Sequence, residues 1–351
     1  MKKYMSIIKK CNIGLFFLIS VQSLAAFELL KTSVGAEATA LGGAVSATVR
    51  DPSAIFWNPA GLANINGKDK LKGKTSLANE ADQKFSTDSF DKLFEETAKN
   101  GEKEEEPGTP PPKTENTFEM QLYSTYANLT MDRHVFMAST GITLFKGTFG
   151  VGLLGSYVPG IEGYDKQGVS TGTMSYGSYA AISGFAWDTG VLKMGITLAG
   201  YQENLFTQNY YGGGVNLGVQ MTPIPIIHIG AALQNLAGAM QYTASNLSLM
   251  RKLDTIMRVT LGITTPPPDS NFMLLLGLES NLDQIGTPEV YGNIGVQIKF
   301  AKIMALMAGL RNNSLAMGLG VHLSFVKISY AINQDPLRTG FQHFVDANFS
   351  F

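Results

Sequence analysis

The last eleven residues of the chain, 341–351, alternate between apolar and polar side chains with a period of two. One face of this segment carries mainly Phe, Val and Ala, and the other carries mainly Gln, Asp, Asn and Ser. Because the side chains of a strand point alternately to its two sides, the pattern predicts a strand with one apolar and one polar face. We interpret the terminal aromatics, Phe349 and Phe351, as an assembly signal for barrel-assembly machinery. This strand predicts a chain that crosses a membrane with strands rather than helices.

The N-terminus has the pattern of a secretory signal peptide over 1–25. Four lysines within the first ten residues precede an apolar run at 13–21, which is too short to span a bilayer as a helix. A small-x-small site predicts cleavage after Ala25, the alternative being an uncleaved membrane anchor. Cleavage removes Cys11, the only cysteine, so we expect neither disulfides nor a thiolate metal site. It also removes four lysines and no acid, so the net charge changes from −1 to −5, which argues against a nucleic-acid partner.

From residue 118 onward the sequence reads as one strand after another. Segments such as 192–199 and 257–264 alternate clearly, and no apolar run after the signal reaches 18 residues. A pair of soluble β-sandwiches is the alternative to a barrel over 118–351. The predicted strands are fourteen: 118–130, 134–145, 148–158, 171–187, 190–201, 209–221, 225–236, 256–265, 271–280, 289–299, 302–311, 314–324, 326–333 and 341–351.

The predicted connections differ in length between the two ends of the strands. Every second connection is short, as at 146–147 and 188–189, whereas 159–170, 202–208 and 237–255 are longer. Short turns at one end and long loops at the other are typical of an antiparallel transmembrane β-barrel, and a sandwich gives no reason for this regularity. The sequence therefore predicts an all-β fold, a barrel of about 14 strands with its short turns in the periplasm.

Charge is concentrated between the N-terminal region and the predicted barrel. Residues 67–117 hold nine lysines and twelve acids and include a run of three prolines. This composition cannot bury enough apolar surface to form a core, so we predict a solvated, periplasmic insert with a short helix at 85–98. The segment is either a flexible linker or a docking arm for a periplasmic protein partner.

Residues 26–66 are rich in small side chains, which let backbones approach closely. A barrel of fourteen strands is wider than side chains alone can fill, so its lumen needs an occupant. We predict that 26–66 forms a plug, with an Asn-Pro turn in which the Asn side chain satisfies backbone groups. The candidate plug residues are Gly42, Gly43, Trp57, Asn58, Pro59, Ala60 and Gly61.

The pair Gly42–Gly43 followed by the sequence Trp-Asn-Pro-Ala-Gly-Leu at 57–62 resembles the FadL-like long-chain fatty acid transporter family and the related PorV/PorQ-like outer-membrane proteins. The sequence Leu-Gln-Asn-Leu at 233–236 and the closing hairpin resemble the PorV-type members. The resemblance implies a fourteen-stranded barrel with an N-terminal hatch. It also implies hydrophobic substrates that move past a rearranged hatch and leave through a gap in the wall. The insert at 67–117 departs from the family, in which the hatch usually joins the first strand by a short connection.

Motifs of catalysis and of phosphate binding are absent from the sequence. The four histidines fall on different predicted strands, so we expect no enzyme activity, no metal and no cofactor. We predict an outer-membrane transporter of a diderm bacterium, in contact with membrane lipid, for long-chain fatty acids or related lipids. One alternative is a PorV-like accessory barrel that docks a secretion or carrier system. The other is a lipid hydrolase that would use His322, Ser324, His343 and Asp346.

Overall fold

The computed structural model describes most of the predicted barrel and a luminal part of the N-terminal region. The described residues are 29, 32–65, 119–144, 147–205, 208–244, 247–266, 271–282, 290–300, 303–335 and 339–351. The predicted signal peptide at 1–25 and the predicted insert at 67–117 lie outside them.

The described residues form fifteen strands. Fourteen of them close an antiparallel barrel, which confirms the predicted fold class, and β8 lies outside it. The strands are β1 (Met120–Leu129), β2 (Arg133–Leu144), β3 (Gly147–Tyr164), β4 (Ser170–Asp188), β5 (Leu192–Leu205), β6 (Gln208–Ile224), β7 (Ile227–Ala244), β8 (Leu247–Lys252), β9 (Ile256–Thr264), β10 (Phe272–Asn281), β11 (Val290–Phe300), β12 (Met304–Arg311), β13 (Ser314–His322), β14 (Val326–Gln334) and β15 (Phe341–Ser350).

Closure of the barrel depends on two pairings between strands that are not simple hairpins. The first strand pairs with the last, with Thr125 opposite Asp346. The strand β7 pairs with β6 on one side and with β9 on the other, where Ile227 lies opposite Ile263. Each barrel strand thus has two neighbours, so the ladder leaves no open edge that would expose unpaired backbone groups to lipid.

The wall is apolar outside, and its inner face carries buried side chains of both kinds. On β12 the outward side chains of Met304, Leu306 and Leu310 are exposed, whereas Arg258 and Glu279 on β9 and β10 are buried on the inner face beside apolar residues such as Leu275. A soluble protein rarely exposes apolar surface of this extent. An apolar outer face is the arrangement expected of a barrel that crosses a bilayer, so the predicted transmembrane barrel is confirmed.

The ends of the barrel correct the predicted loops. The predicted loops at 159–170, 202–208 and 237–255 are largely strand, because β3 to β7 run for 14 to 19 residues. A membrane-spanning strand needs only about 9–11 residues, so these strands extend well beyond the others at the end away from the short turns. The strand β8, which the sequence did not predict, continues this extension by pairing with the far end of β7.

The N-terminal residues 32–65, here called the luminal segment, belong to the same compact unit as the barrel. They contain helix α1 (Ala36–Ala40), helix α2 (Ala54–Trp57) and a 3-10 helix (Pro59–Asn64). Among the described residues, no helix has the length and apolar character needed to cross a bilayer.

Candidate functional site

The luminal segment contacts the inner faces of ten barrel strands at glycines. At eleven wall glycines a Cβ atom would touch the segment, so the missing side chain is what admits it. These contacts join Gly141 to Ile65, Gly150 to Leu62, Gly152 to Ile55, Gly195 to Pro59, Gly218 to Asn58, Gly230 to Ala47, Gly262 to Thr48, Gly277 to Ala44, Gly295 to Leu41, Gly309 to Gly42 and Gly318 to Ala40. The segment therefore packs directly on the backbone of the wall around most of the barrel, with its own backbone in contact at Gly195, Gly230, Gly295 and Gly309.

Asn58 is fully buried and links the segment to the wall. Its side-chain nitrogen donates to the Ser46 carbonyl at 2.7 Å, and to the carbonyls of Val219 on β6 and Ala231 on β7 at 3.0 and 3.3 Å. Its side-chain oxygen accepts a hydrogen bond from the Ala60 N–H at 3.1 Å and so caps the 3-10 helix. One amide group thus satisfies backbone groups of the segment and of two strands at once.

The residues after Asn58 fit the wall closely. Pro59 occupies the first position of the 3-10 helix, where an N–H would have no partner, and it abuts β5. Ala60 is fully buried, and at Gly61 a Cβ would lie 2.7 Å from the Val49 carbonyl oxygen. This short stretch leaves no room for a larger side chain at Gly61.

The glycine pair lies against the opposite wall. Gly42 and Gly43 have positive φ angles of 64° and 74°, which favour glycine. A Cβ on Gly42 would lie 2.6 Å from the Leu310 carbonyl oxygen and 2.7 Å from that of Ile294. Two constraints, backbone conformation and close approach, therefore both require glycine at position 42.

Trp57 makes one hydrogen bond and one cation–π contact. Its indole N–H donates to the Val34 carbonyl at 2.9 Å. The Arg258 guanidinium lies 5.1 Å from the Trp57 ring centroid and 5.7 Å from that of Phe56. Both distances are within the range of a cation–π contact, so Arg258 attaches α2 to β9.

Arg258 also belongs to a buried ionic cluster on the inner wall. Its Nε donates to Glu279 Oε2 at 3.1 Å, and its Nη1 donates to Gln234 Oε1 at 2.7 Å. Glu279 accepts two further hydrogen bonds from Arg311 Nη2 at 2.9 and 3.0 Å. The two guanidinium groups share the one Glu279 carboxylate, which partly offsets the cost of burying these charges.

A second ion pair holds α1 near β14 and β15. The Lys327 ammonium on β14 donates to the Glu37 carboxylate, and the Glu37 backbone N–H donates to Asp346 Oδ2 at 3.0 Å. Burial raises the pKa of Glu37, but the charge and hydrogen bond of Lys327 outweigh burial and lower the pKa below its ordinary value. At Asp51, near this pair, burial raises the pKa.

The residues of the hydrolase alternative do not converge. His343 lies on the outer face of β15 and shares a hydrogen bond of 2.7 Å with the Tyr330 hydroxyl, whereas Asp346 lies on the inner face. The terminal aromatic Phe349 pairs with Leu122 on the outer face at the closing seam. The Phe351 side chain is exposed beyond the end of β15.

The wall side of this interface was not predicted from the sequence. The eleven wall glycines and the cluster of Arg258 were not identified as site residues, and Asp346 was considered only for a hydrolase and not as a partner of Glu37. A signal was present, since glycine recurs at inward-facing positions of successive strands. Its partners could not be deduced because they come from segments hundreds of residues apart, as Glu37 and Asp346 do.

The sequence matches no protein-family model and no curated protein. Among solved structures, it is similar to the P. putida toluene transporter TodX, with a TM-score of 0.53 and 12% identity over 91% of this chain and 96% of TodX. It is also similar to a Pseudomonas aeruginosa FadL homologue, with a TM-score of 0.51 and 8% identity over 91% of this chain and 98% of the homologue. At these identities the similarity establishes the fold. The resemblance to FadL-like proteins is confirmed at that level, and the resemblance to PorV stays a prediction.

Proposed function

We propose that this chain is an outer-membrane transporter for hydrophobic molecules, with long-chain fatty acids or related lipids as its substrates. The observation that carries the proposal is a lumen occupied by the chain's own luminal segment, inside a barrel with an apolar outer surface. An open aqueous pore would serve polar solutes, whereas an occupied lumen must rearrange before anything passes. TodX, which has the same fold, is a toluene transporter.

In this proposal the luminal segment acts as a plug. Its attachments to the wall are hydrogen bonds, ion pairs and close contacts, and all of these can break and reform without covalent change. Apolar cargo gains about 25 cal/mol for each Å² that leaves water, which gives a driving force for entry into the lumen. A shift of the plug then opens the path, and no bond of the substrate is made or broken.

The β6–β7 region supports an exit through the wall. The β6–β7 ladder contains register shifts near Gly213 and Val215, where the glycine-rich stretch of β6 lies. The strand β7 pairs with β9 only as far as Gln234 and with β8 from Ala239 onward. Between these pairings Asn235 has a positive φ of 60°. An interrupted ladder opens at lower cost than a continuous one, so we place the exit here.

Uptake of labelled oleate into liposomes, with and without the purified mature protein, tests the transport function. Equal uptake in both would end the proposal. A reversible lock tests the movement of the plug. Cysteines in place of Ala44 and Gly277 would have Cβ atoms 3.2 Å apart, near the spacing of about 3.5–4.5 Å found in disulfides.

We expect the oxidised double variant to transport little oleate and the reduced variant to recover transport. Each single-cysteine variant serves as a matched control, because it carries the same side-chain change without the crosslink. Undiminished uptake by the oxidised, crosslinked protein would show that this part of the segment stays in place during transport.

We keep the docking of a periplasmic protein by residues 67–117 as a second proposal, since nearly two fifths of all charged residues lie there. Deletion of 67–117 should preserve oleate uptake and remove a co-purifying protein. Loss of uptake would instead assign the insert to transport.

A further inference from the structure

A cleft that the transport proposal does not use lies between the luminal segment and the wall, at the end of the barrel with the short turns. It holds about 320 Å³ of space, part of which is open to solvent. A water molecule takes about 30 Å³ in the liquid, so the cleft has room for a small ion and several waters. The polar lining of this mouth cleft comes from Arg50 and Asn64 of the luminal segment, Gly190 and Lys193 at the start of β5, and Gln220 and Thr222 near the end of β6.

Two cations line the mouth cleft from opposite partners. Arg50 belongs to the luminal segment and is exposed, whereas Lys193 belongs to the wall and is half-buried. Both act electrostatically on His228, a buried histidine of β7 whose Nδ1 lies 3.2 Å from the Thr222 hydroxyl oxygen. The two positive charges therefore converge on one side of the cleft. Among the described residues that line it, none carries a carboxylate.

Two carboxylates lie near the cleft without lining it. Asp51, the residue after the cleft arginine, accepts hydrogen bonds from the N–H and the hydroxyl of Ser53. Asp188 lies opposite Lys193 in the β4–β5 ladder, and its Oδ1 accepts a hydrogen bond from the Gly190 N–H at 2.6 Å. Asp188 offsets part of the Lys193 charge. Two cations against this partial offset leave the cleft with a positive potential, which attracts anions.

A chain of hydrogen bonds positions Lys193 at the floor of the cleft. The Lys193 ammonium donates to Asn64 Oδ1. The Asn64 Nδ2 donates to Gln220 Oε1 at 2.8 Å, and the Gln220 Nε2 donates to the Ser46 carbonyl at 2.9 Å. The side-chain oxygens of both amides are thus engaged by donors of the protein. A ligand in the cleft therefore meets cationic donors in preorganised positions.

We propose that the mouth cleft binds a phosphate group, which bridges Arg50 of the luminal segment and Lys193 of the wall. A phosphate monoester carries about 1.5 to 2 negative charges at pH 7 and three acceptor oxygens. It can accept from the guanidinium fork on one side and from the ammonium on the other. The Thr222 hydroxyl can donate to the third oxygen. A carboxylate has one charge and two oxygens, so it matches the two cations less well.

A phosphate that contacts both partners holds the luminal segment against the wall. A ligand that binds only when the segment is seated favours that position by the factor 1 + [L]/Kd, which is about tenfold at ten times the Kd. The phosphate group can be free in the periplasm or can belong to a lipid headgroup. Its binding at this cleft does not depend on which molecules the protein transports.

Isothermal titration calorimetry of the purified mature protein in an uncharged detergent tests the site. The probe is inorganic phosphate, with acetate as the comparison, and we expect phosphate to bind about tenfold or more tightly. Arg50→Gln and Lys193→Gln should each weaken phosphate binding about tenfold or more, because a hydrogen bond to a charged group contributes that much. Arg50→Lys keeps the charge and should bind phosphate more tightly than Arg50→Gln. The matched control is Lys166→Gln, an exposed lysine between β3 and β4 at the other end of the barrel, and its affinity should not change.

Hydrogen exchange tests the bridge between segment and wall. Phosphate at ten times its Kd should slow exchange of the amides of the luminal segment about tenfold in the wild type, with the barrel amides as the internal reference. The same phosphate concentration should give little slowing in Arg50→Gln. A cleft that only tolerates an ion beside the wall would not produce this difference.

Titration of dioleoyl phosphatidate in mixed micelles distinguishes the two sources. Tighter binding of the lipid identifies a headgroup, tighter binding of inorganic phosphate identifies the free ion, and either result supports the site. Heat-modifiable gel mobility verifies the fold, and Arg50→Gln carries the test if Lys193→Gln fails to fold, since Arg50 is exposed. Unchanged affinity in folded Arg50→Gln, equal affinity for phosphate and acetate, or equal exchange with and without phosphate would overturn the inference.

Discussion

Replacement of Asn58 by alanine should release the luminal segment from the wall without unfolding the barrel. The substitution removes two hydrogen bonds to wall carbonyls, those of Val219 and Ala231, and two within the segment, to Ser46 and Ala60. The Asn58 amide has two N–H hydrogens, and one donates to Ser46, so the two wall carbonyls share the other. A net contribution of about 1 kcal/mol for a hydrogen bond then gives about 1 kcal/mol of lost attachment to the wall. That loss corresponds to an increase of about fivefold in the population of the displaced segment, because about 1.4 kcal/mol is tenfold in an equilibrium constant.

Single-channel conductance in planar bilayers measures this population directly. The Asn58→Ala variant should spend about five times more of its time in an open state, while its heat-modifiable gel mobility stays that of the wild type. The control is Asn209→Ala, an asparagine of β6 whose side chain is exposed, and its conductance should not change. Unchanged conductance in folded Asn58→Ala would refute the reasoning, because it would show that Asn58 does not hold the segment. Loss of the folded band would refute it too, because Asn58 would then be needed for the barrel itself to fold.

Three further substitutions test the other attachments. Gly309→Ala should displace the segment, because the new Cβ would lie 2.6 Å from a segment carbonyl oxygen. Gly292→Ala is the control: its Cβ would have no atom within 4 Å, so the melting temperature of this variant should change little. Trp57→Phe should lower the free energy of unfolding by about 1–2 kcal/mol in denaturant titrations, since it leaves the Val34 carbonyl unpartnered. Because the pKa of Glu37 lies below its ordinary 4.5, its ion pair should stabilise the luminal segment in its observed position above pH 4.5. This stabilisation should be lost as the pH falls below 4.5 and Glu37 becomes protonated. Conductance recorded against pH checks this expectation, and Lys327→Met should reverse the dependence on Glu37, because burial then raises the pKa of Glu37 above its ordinary value.

The strands were predictable because the bilayer imposes a simple rule on each of them. A strand between lipid and lumen must alternate, and the fourteen predicted segments follow the fourteen that close the barrel. The parts of β3 to β7 that extend beyond the bilayer were not predictable by this alternation, because outside the membrane both faces of a hairpin can be polar. Pro159 illustrates the point. It reads as a loop residue, yet β3 passes it with a bulge between Val158 and Ile161 and a positive φ at Gly160.

The luminal segment was predictable in part. Small side chains and the Asn-Pro sequence indicated a tightly folded occupant of the lumen, and Asn58 does satisfy backbone groups. The partners on the wall could not be deduced from the sequence. Alternation along a strand shows which side chains point into the lumen, but it does not show at which level along the strand the luminal segment contacts the wall. Arg258 shows this limit. Its inward position follows from alternation, whereas its place over the Trp57 ring does not.

The glycine contacts explain how the segment can be held firmly and still move. The segment buries apolar side chains such as Leu41, Ile55 and Leu62 inside the barrel. A few polar links, such as those of Asn58, Arg258 and Glu37, fix its position against the wall. The barrel does not depend on those links, because its backbone ladder closes through strand pairing alone. Breaking one polar link therefore shifts the position of the segment by a modest free energy and leaves the wall intact. This separation between a self-sufficient wall and an occupant held only by non-covalent contacts is what the proposed movement of the plug requires.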